Sequence, residues 1–593
     1  MMNELRVKKG LSFLVRCFIF LAFCTLWSLS STTGCKWGLR DHECHSANDC
    51  ADKTICRNGR CLQIEKTSSE VHHVDETSVD VEGSGEKDRN PEREAEGEKR
   101  DESCAGSECR SSEKVFGDAS EPVESEPVVE QTPEPKVSCD RSQPTCLFAV
   151  GAGGGNEDRA EAMAINKHGE IYIAGIFSGF ATFGKTTLTS RSAPDMFVAK
   201  MDAKGTFLWA KQIGDVHTEF IHELVLDKDG NVYIAGRFHT KTTFDTVLHT
   251  SKGKFDAFVA KMNPKGAIQW VSLIQGSFPL YAGSLAVDKT GHVYVGGYIR
   301  GAVSFGGTLQ LGHKYNYFDD LFIAKLDNSG KFLWVKRVGK GQNDHIYDLA
   351  LDKDGNVYAT GIVREKVEFG THSLDANGGW DVFVAKMNPS GTFLWAKRFG
   401  GVNDEFSRAI ALDSEGGIYI AGNFSTLTVF GNTKLIAKGS SDIFVAKLDK
   451  EGNLLWAKQA GGAAKDIRYQ TPLDFVRALL VDSSKNVYIS GSFGNIAQFG
   501  DATLTAKKDP SETRFANDIF IAKLDTNGKW LWAQRAGGKN KGSNIESAFA
   551  LAFDPRGDVF AAGTFSDSAD FSKETLLSEG GTDIFVWKVP PKP

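Results

Sequence analysis

From Cys146 to Pro593 one pattern is written seven times. Tyr/Phe-x-x-Gly recurs at Tyr172–Gly175, Tyr233–Gly236, Tyr294–Gly297, Tyr358–Gly361, Tyr419–Gly422, Tyr488–Gly491 and Phe560–Gly563. Asp-x-Phe-[Val/Ile]-x-Lys follows each time, from Asp195, Asp256, Asp320, Asp381, Asp442, Asp518 and Asp583. A repeat of this length is one supersecondary unit that cannot bury its own apolar faces. Seven units that each need a neighbour on both sides predict a closed ring, an all-β, seven-bladed β-propeller.

Each repeat reads as a four-stranded antiparallel blade. Within residues 408–459 the apolar runs are Ala409–Leu412, Ile418–Asn423, Ile443–Leu448 and Leu454–Lys458. Asp413-Ser-Glu-Gly416 and Asp449-Lys-Glu-Gly452 separate them in pairs, an Asp to cap a turn and a Gly to accept positive φ. The near-continuous apolar runs fit sheets covered on both faces. A Phe falls eight residues after each motif Gly, and length varies mainly between it and the next Asp, in the connection from second to third strand. The fourth strand carries Trp209, Trp270, Trp334, Trp395, Trp456 and Trp532, and the seventh repeat ends without its own. Residues 147–153, with Phe148 in the Trp position, are expected to complete that last blade and leave no open edge.

The region before the repeats has a different character. Arg6, Lys8 and Lys9 precede an apolar stretch from Leu11 to Leu29, and small residues lead to Cys35. This resembles the signal of bacterial lipoproteins, in which the cysteine is acylated. The resemblance implies export, removal of residues 1–34, a lipid on Cys35 and anchoring at the outer membrane or cell surface. Thr32 departs from the usual Leu. A plain secretory signal cut near Gly34 and an uncleaved anchor helix are the alternatives. All eleven cysteines lie before residue 147. Behind an export signal, Cys44, Cys50, Cys56, Cys61, Cys104, Cys109, Cys139 and Cys146 read as disulfide candidates of open connectivity. Residues 35–61 form the cysteine-rich module. Its spacings are not those of a zinc knuckle, and no metal or cofactor is expected. Residues 62–138 lack apolar periodicity and are rich in Glu, Ser, Asp and Pro, so a disordered acidic linker is expected there. Residues 62–145 hold 23 acidic and 10 basic side chains, a local balance of −13 against −7 for the whole chain. The repeats, 139–593, are therefore near neutral, with no basic stripe to suit nucleic acid.

The repeat motifs resemble the seven-bladed β-propeller repeats, abbreviated SBBP, of bacterial surface proteins, a family without one general activity. Asp and Lys of Asp-x-Phe-[Val/Ile]-x-Lys lie roughly 17 Å apart on opposite faces of a strand, which suits a loop cap and a blade contact better than one metal site. Asp227-Lys-Asp-Gly-Asn231 reads as a hairpin turn, because its Gly stands at position four, not six, of a calcium loop. Specificity is expected where repeats differ, at the channel mouth. There the chain places His217, His222, Tyr281, Asp344, His345, Tyr347, Trp380, Asp404, Arg468 and Tyr469, with His313, Tyr315 and Tyr317 on further loops. Aromatics with a few charges suit a protein or glycan bound by a monomeric, non-enzymatic propeller. A polysaccharide hydrolase or lyase and an envelope-assembly scaffold are the alternatives.

Overall fold

The computed structural model describes residues 147–591, except 192–193, 312–317, 340–342, 463–473, 508–516 and 539–545, together with the backbone of 54–57 and 60–63. The expectations for Cys35, the signal, the linker and cysteines 44, 50, 104, 109, 139 and 146 lie outside these residues, as do Arg468, Tyr469, His313, Tyr315 and Tyr317. The chain divides into Met1–Ser125 and Glu126–Pro593. In the first unit, Thr54–Arg57 pairs antiparallel with Arg60–Gln63, with Cys56 opposite Cys61 in the register.

The second unit is all-β among its described residues and propeller-like. Its strands form antiparallel quartets in sequence order. In one of them Glu405–Leu412, Ile418–Phe424, Asp442–Leu448 and Leu454–Ala460 pair successively. The inner strands of successive quartets are Arg159–Ile165, Glu219–Leu226, Tyr281–Val287, His345–Leu351, Glu405–Leu412, Phe475–Val481 and Ser547–Phe553. Each touches the next, and Ser547–Phe553 touches Arg159–Ile165, so the contacts close on themselves. In the final quartet Ala149–Ala152 pairs antiparallel with Glu574–Lys588, Ala149 opposite Trp587 and Ala152 opposite Ile584.

The repeat motifs gain their meaning from these packings. Every residue of Ile418–Phe424 is buried because the strand has a neighbouring quartet on each face. Tyr358, Val382, Val384 and Phe399 of one quartet form a core with Ile418, Ile420, Phe444 and Ala446 of the next. The motif glycine answers a steric demand. A Cβ at Gly422 would be driven into the carbonyl oxygen of Phe406, and one at Gly236 into that of Phe220. Tyr, Lys and Trp build a strut between quartets. Tyr419 donates to Asp413 Oδ2 at 3.1 Å, and Lys447 Nζ stands 4.9 Å from the Tyr419 ring. Lys447 Nζ and Trp456 Nε1 then reach Thr526 Oγ1 and its carbonyl oxygen at 3.2 and 3.1 Å in the following quartet. The Asp partner of that motif caps a loop: Asp442 accepts from Lys438 N, Gly439 N and Gln459 Nε2. Asp227 accepts from the amides of Asp229 and Asn231, as a hairpin turn requires.

One expectation needs correction. The connection between second and third strands is not a plain loop. It contains a short hairpin, such as Leu427–Phe430 with Thr433–Ile436 or Ile496–Phe499 with Ala502–Thr505. The recurrent Phe closes its first arm and is buried; Phe430 lies 4.8 Å from Phe444 and 5.6 Å from Phe399 of the preceding quartet. The hairpin also bonds backward, Gly400 N to Val429 O at 3.2 Å and Gly461 N to Gln498 O at 3.1 Å. This connection is part of the scaffold that fastens neighbouring quartets.

Candidate functional site

The inner strands share an irregularity that aims side chains at the axis. Each has a register shift that leaves one residue outside the ladder: Glu161, His222, Gly283, Tyr347, Arg408, Arg477 and Phe549. A bulge adds twist and re-aims the extra residue. Six of the seven inner strands thereby turn one side chain out of the regular alternation, the third carrying Gly283 there, and the column is not one shared residue type.

Around this column the structure assembles a continuous arc of rings and guanidinium groups. His217 lies 5.8 Å from His239, which lies 5.1 Å from Phe255. His222 is 4.4 Å from Tyr281, Tyr281 stacks on Tyr298 at 5.1 Å, and Tyr298 stacks on His345 at 4.1 Å. His345 bonds Asp319 and meets the Tyr347 hydroxyl at 3.3 Å. Arg408 lies over Tyr347 at 4.4 Å and over Phe406 at 5.4 Å, and Phe406 is 5.7 Å from Trp380. Thus His217, His222, Tyr281, His345, Tyr347 and Trp380, distant in sequence, belong to one surface. Trp380 is further fixed by its Nε1 bond to Asn343 O and by Arg364 over its ring. Asp404 lies beside it and accepts from Trp380 N at 3.1 Å.

Asp344 is placed differently. It is fully buried and accepts from Arg364 N at 2.9 Å. It belongs to a set of junction acids that start the inner strands: Asp158, Glu219, Asp344, Glu405, Asp474 and Glu546, all buried. Burial is the largest cause of their raised pKa values. The strand-three aspartates Asp583, Asp195, Asp320, Asp381, Asp442 and Asp518 respectively raise them further. Asp344 is pushed up to about 8, Glu405 to about 8 and Glu219 to about 9. Leu280 stands at this position opposite Asp256.

Arg159, Arg237, Arg408 and Arg477 were not among the residues singled out from sequence. Arg237 lies over Phe220, Phe255 and Tyr281 at 4.9, 5.0 and 5.8 Å. Arg477 lies over Phe549 at 5.0 Å and Phe475 at 5.5 Å, and Arg159 over Phe549 at 5.6 Å. Arg159 has an ion-pair partner in Glu161. The Nε atoms of Arg237 and Arg477 are buried without a hydrogen-bond partner among the described residues. Arg477 senses Arg408, Glu161, Arg159 and Tyr281, drawn from three other quartets, as expected of a group near the axis. Burial, helped by Arg408, lowers it to about 10, so it stays charged at neutral pH. Burial, then Arg237 and Arg159, hold His222 well below its ordinary value, so it is neutral. One residue along the inner strands from His222 and Tyr347, burial and Asp348 raise Glu223 to about 8, and burial raises Asp348 to about 6. Asp348 accepts from Ser284 Oγ, Leu349 N and Ile410 N, which makes it a strut between inner strands. Among the described residues no group of three or more His, Cys, Asp or Glu could hold a metal ion.

No family model matches the chain. Its sequence is similar to the uncharacterized WD repeat-containing protein L264 of Acanthamoeba polyphaga mimivirus, 22% identical over 519 residues, covering 71% of this chain and 36% of that protein. It is also similar to the regulatory protein FlaEY of Caulobacter vibrioides, 25% identical over 236 residues, covering 38% of this chain and 24% of that protein. The chain thus spans about a third or less of the curated relatives it matches. Solved structures with similar folds include the WD40 β-propeller domain of Doa1, at a TM-score of 0.37, 9% identity, 74% of this chain and 97% of that one. YCF48 bound to D1 peptide gives 0.35, 10%, 75% and 97%, and the PL25 ulvan lyase gives 0.37, 12%, 73% and 97%. The described fold is all-β and propeller-like. Its strand quartets, cyclic contacts and repeat-bearing relative agree on that much.

Proposed function

We propose that the protein is a seven-bladed β-propeller of the SBBP type that acts as a non-enzymatic binding scaffold, anchored by an N-terminal lipid at the cell surface, and that its partner is a protein. The carrying observation is the arc from His217 to Trp380. It joins side chains from successive quartets at positions that vary between repeats, while the shared residues are consumed in struts and caps. Buried aromatic and arginine side chains are the residue types that dominate protein interfaces. The naming of the mimiviral relative for its WD repeats supports the same reading, since such repeats build interaction platforms. A hydrolase or lyase would draw on Glu223 and Asp348, but Asp348 spends its oxygens on Ser284, Leu349 and Ile410.

The test is capture of partners on the immobilised full chain, from culture of the source cells, beside Tyr347→Ala and Trp380→Ala chains of unchanged melting temperature. The expected result is a protein retained by the intact chain and lost from both variants. Retention that neither substitution alters would show that this face is not the binding face.

A further inference from the structure

We propose that the arginines set in the aromatic arc recognise carboxylates of an acidic peptide segment on the partner. This rests on the binding-scaffold reading above and specifies the chemistry of what is bound.

Three observations carry it. First, Arg237, Arg408 and Arg477 are held by rings and not by acids. Each lies over at least two aromatic rings at 4.4–5.8 Å. Among the described residues no carboxylate forms an ion pair with any of the three, whereas Arg159, Arg300, Arg337, Arg398 and Arg535 each have one. A ring-held guanidinium keeps its N–H edge for a planar acceptor and matches a carboxylate in a two-pronged bond. Second, the Nε groups of Arg237 and Arg477 are buried and lack an acceptor, a cost that an incoming carboxylate would remove. Third, the nearby carboxylates form their ion pairs with other groups, and Glu161 acts on Arg477 only through space. Glu161 is engaged with Arg159, and Asp319 with Arg300 and His345.

The arc also discriminates between acidic peptide and acidic sugar. Sugars bind aromatic platforms by covering ring faces. Here Tyr281, Tyr298 and His345 cover one another, in stacks tilted by 9° and 25°. Their faces are spent on each other and on Arg237. What they leave is edges and guanidinium groups, which suits carboxylates on flexible side chains.

The experiment is fluorescence anisotropy of a labelled decaglutamate peptide with the full chain at low salt. A decaglutamine peptide and an oligogalacturonate serve as competitors. The variants are Arg408→Gln/Arg477→Gln, Arg408→Lys/Arg477→Lys, and Lys450→Gln, in an exposed hairpin turn, as a control. The expected result is binding that weakens with salt, at least tenfold loss in the Gln double variant, partial rescue by Lys and no change in the control. Melting temperatures should match. Decaglutamate that fails to bind, or binds the Gln variant as well as the intact chain, overturns the proposal. So does an oligogalacturonate that binds more tightly than the peptide. If Tyr347→Ala and Trp380→Ala still abolish capture of a protein partner while the arginine variants do not, the scaffold reading stands and the acidic-segment proposal alone fails.

Discussion

A chain lacking residues 147–153 is expected to melt far below the intact protein. Ala149–Ala152 is the outer strand of a quartet whose other members come from the far end of the chain. Without it, the edge of Glu574–Lys588 is unpaired, and an exposed apolar edge also invites aggregation. The loss reaches a second junction, because Phe148 packs at 5.9 Å from Phe560 and lies against Gly205 of the first quartet. Phe148 is buried, and Phe148→Ala alone should cost about 3–5 kcal/mol. Thermal melts followed by circular dichroism on the intact, deleted and Phe148→Ala chains check this. Unchanged melting in the deletion would mean that the ring does not depend on its first strand.

Stability is expected to fall as pH rises from about 5 to 9. The junction acids supply the reason. Glu405 faces Asp381 and is flanked by Asp404, while Arg398 pairs with Asp381 and Gly401 N donates to Glu405 Oε2. With its folded pKa at about 8 and an ordinary unfolded value, Glu405 keeps a proton in the folded protein that the unfolded chain has released. The folded state therefore binds more protons between these values, and stability drops with increasing pH there. Each such acid contributes a slope of up to about 1.4 kcal/mol per pH unit. The effect is complete below the unfolded pKa and is used up once pH exceeds the folded one. Glu405→Gln preserves size and removes one titration, so its urea-denaturation stability should fall less steeply with pH. An identical pH slope in both chains would show that Glu405 does not hold that proton.

The strand frame was legible in sequence because each quartet repeats the same demands. An interior sheet reads as apolar runs, and a tight turn as Asp followed by Gly. The run Ile418–Asn423 differs from the observed Ile418–Phe424 by a single residue. The hairpin in each connection was missed because Leu427–Phe430 and Thr433–Ile436 are short, part-polar arms that resemble an insertion. His222, Tyr281, His345 and Tyr347 were expected in loops at the channel mouth, and the structure places them in inner strands. Arg408 and Arg477, at the same bulge position of their inner strands as His222 and Tyr347, were not named. A bulge that lifts them from the ladder leaves no gap in the pattern. Counting back fourteen residues from the motif Gly to a column that reads Glu161, His222, Gly283, Tyr347, Arg408, Arg477 and Phe549 would have exposed them. Asp344 shared the acidic character of a binding residue, and only its burial beside Asp320 separates the two roles.

Hydrogen exchange across residues 148–153 tests closure of the ring most directly. Ala149–Ala152 is held in the ladder with Glu574–Lys588, and Lys588 N donates to Phe148 O at 3.0 Å. A peptide covering these residues is expected to exchange as slowly as one covering Asp442–Leu448, the third strand of an internal quartet. Complete exchange of 148–153 within seconds, with Asp442–Leu448 still protected, would contradict closure by the first strand.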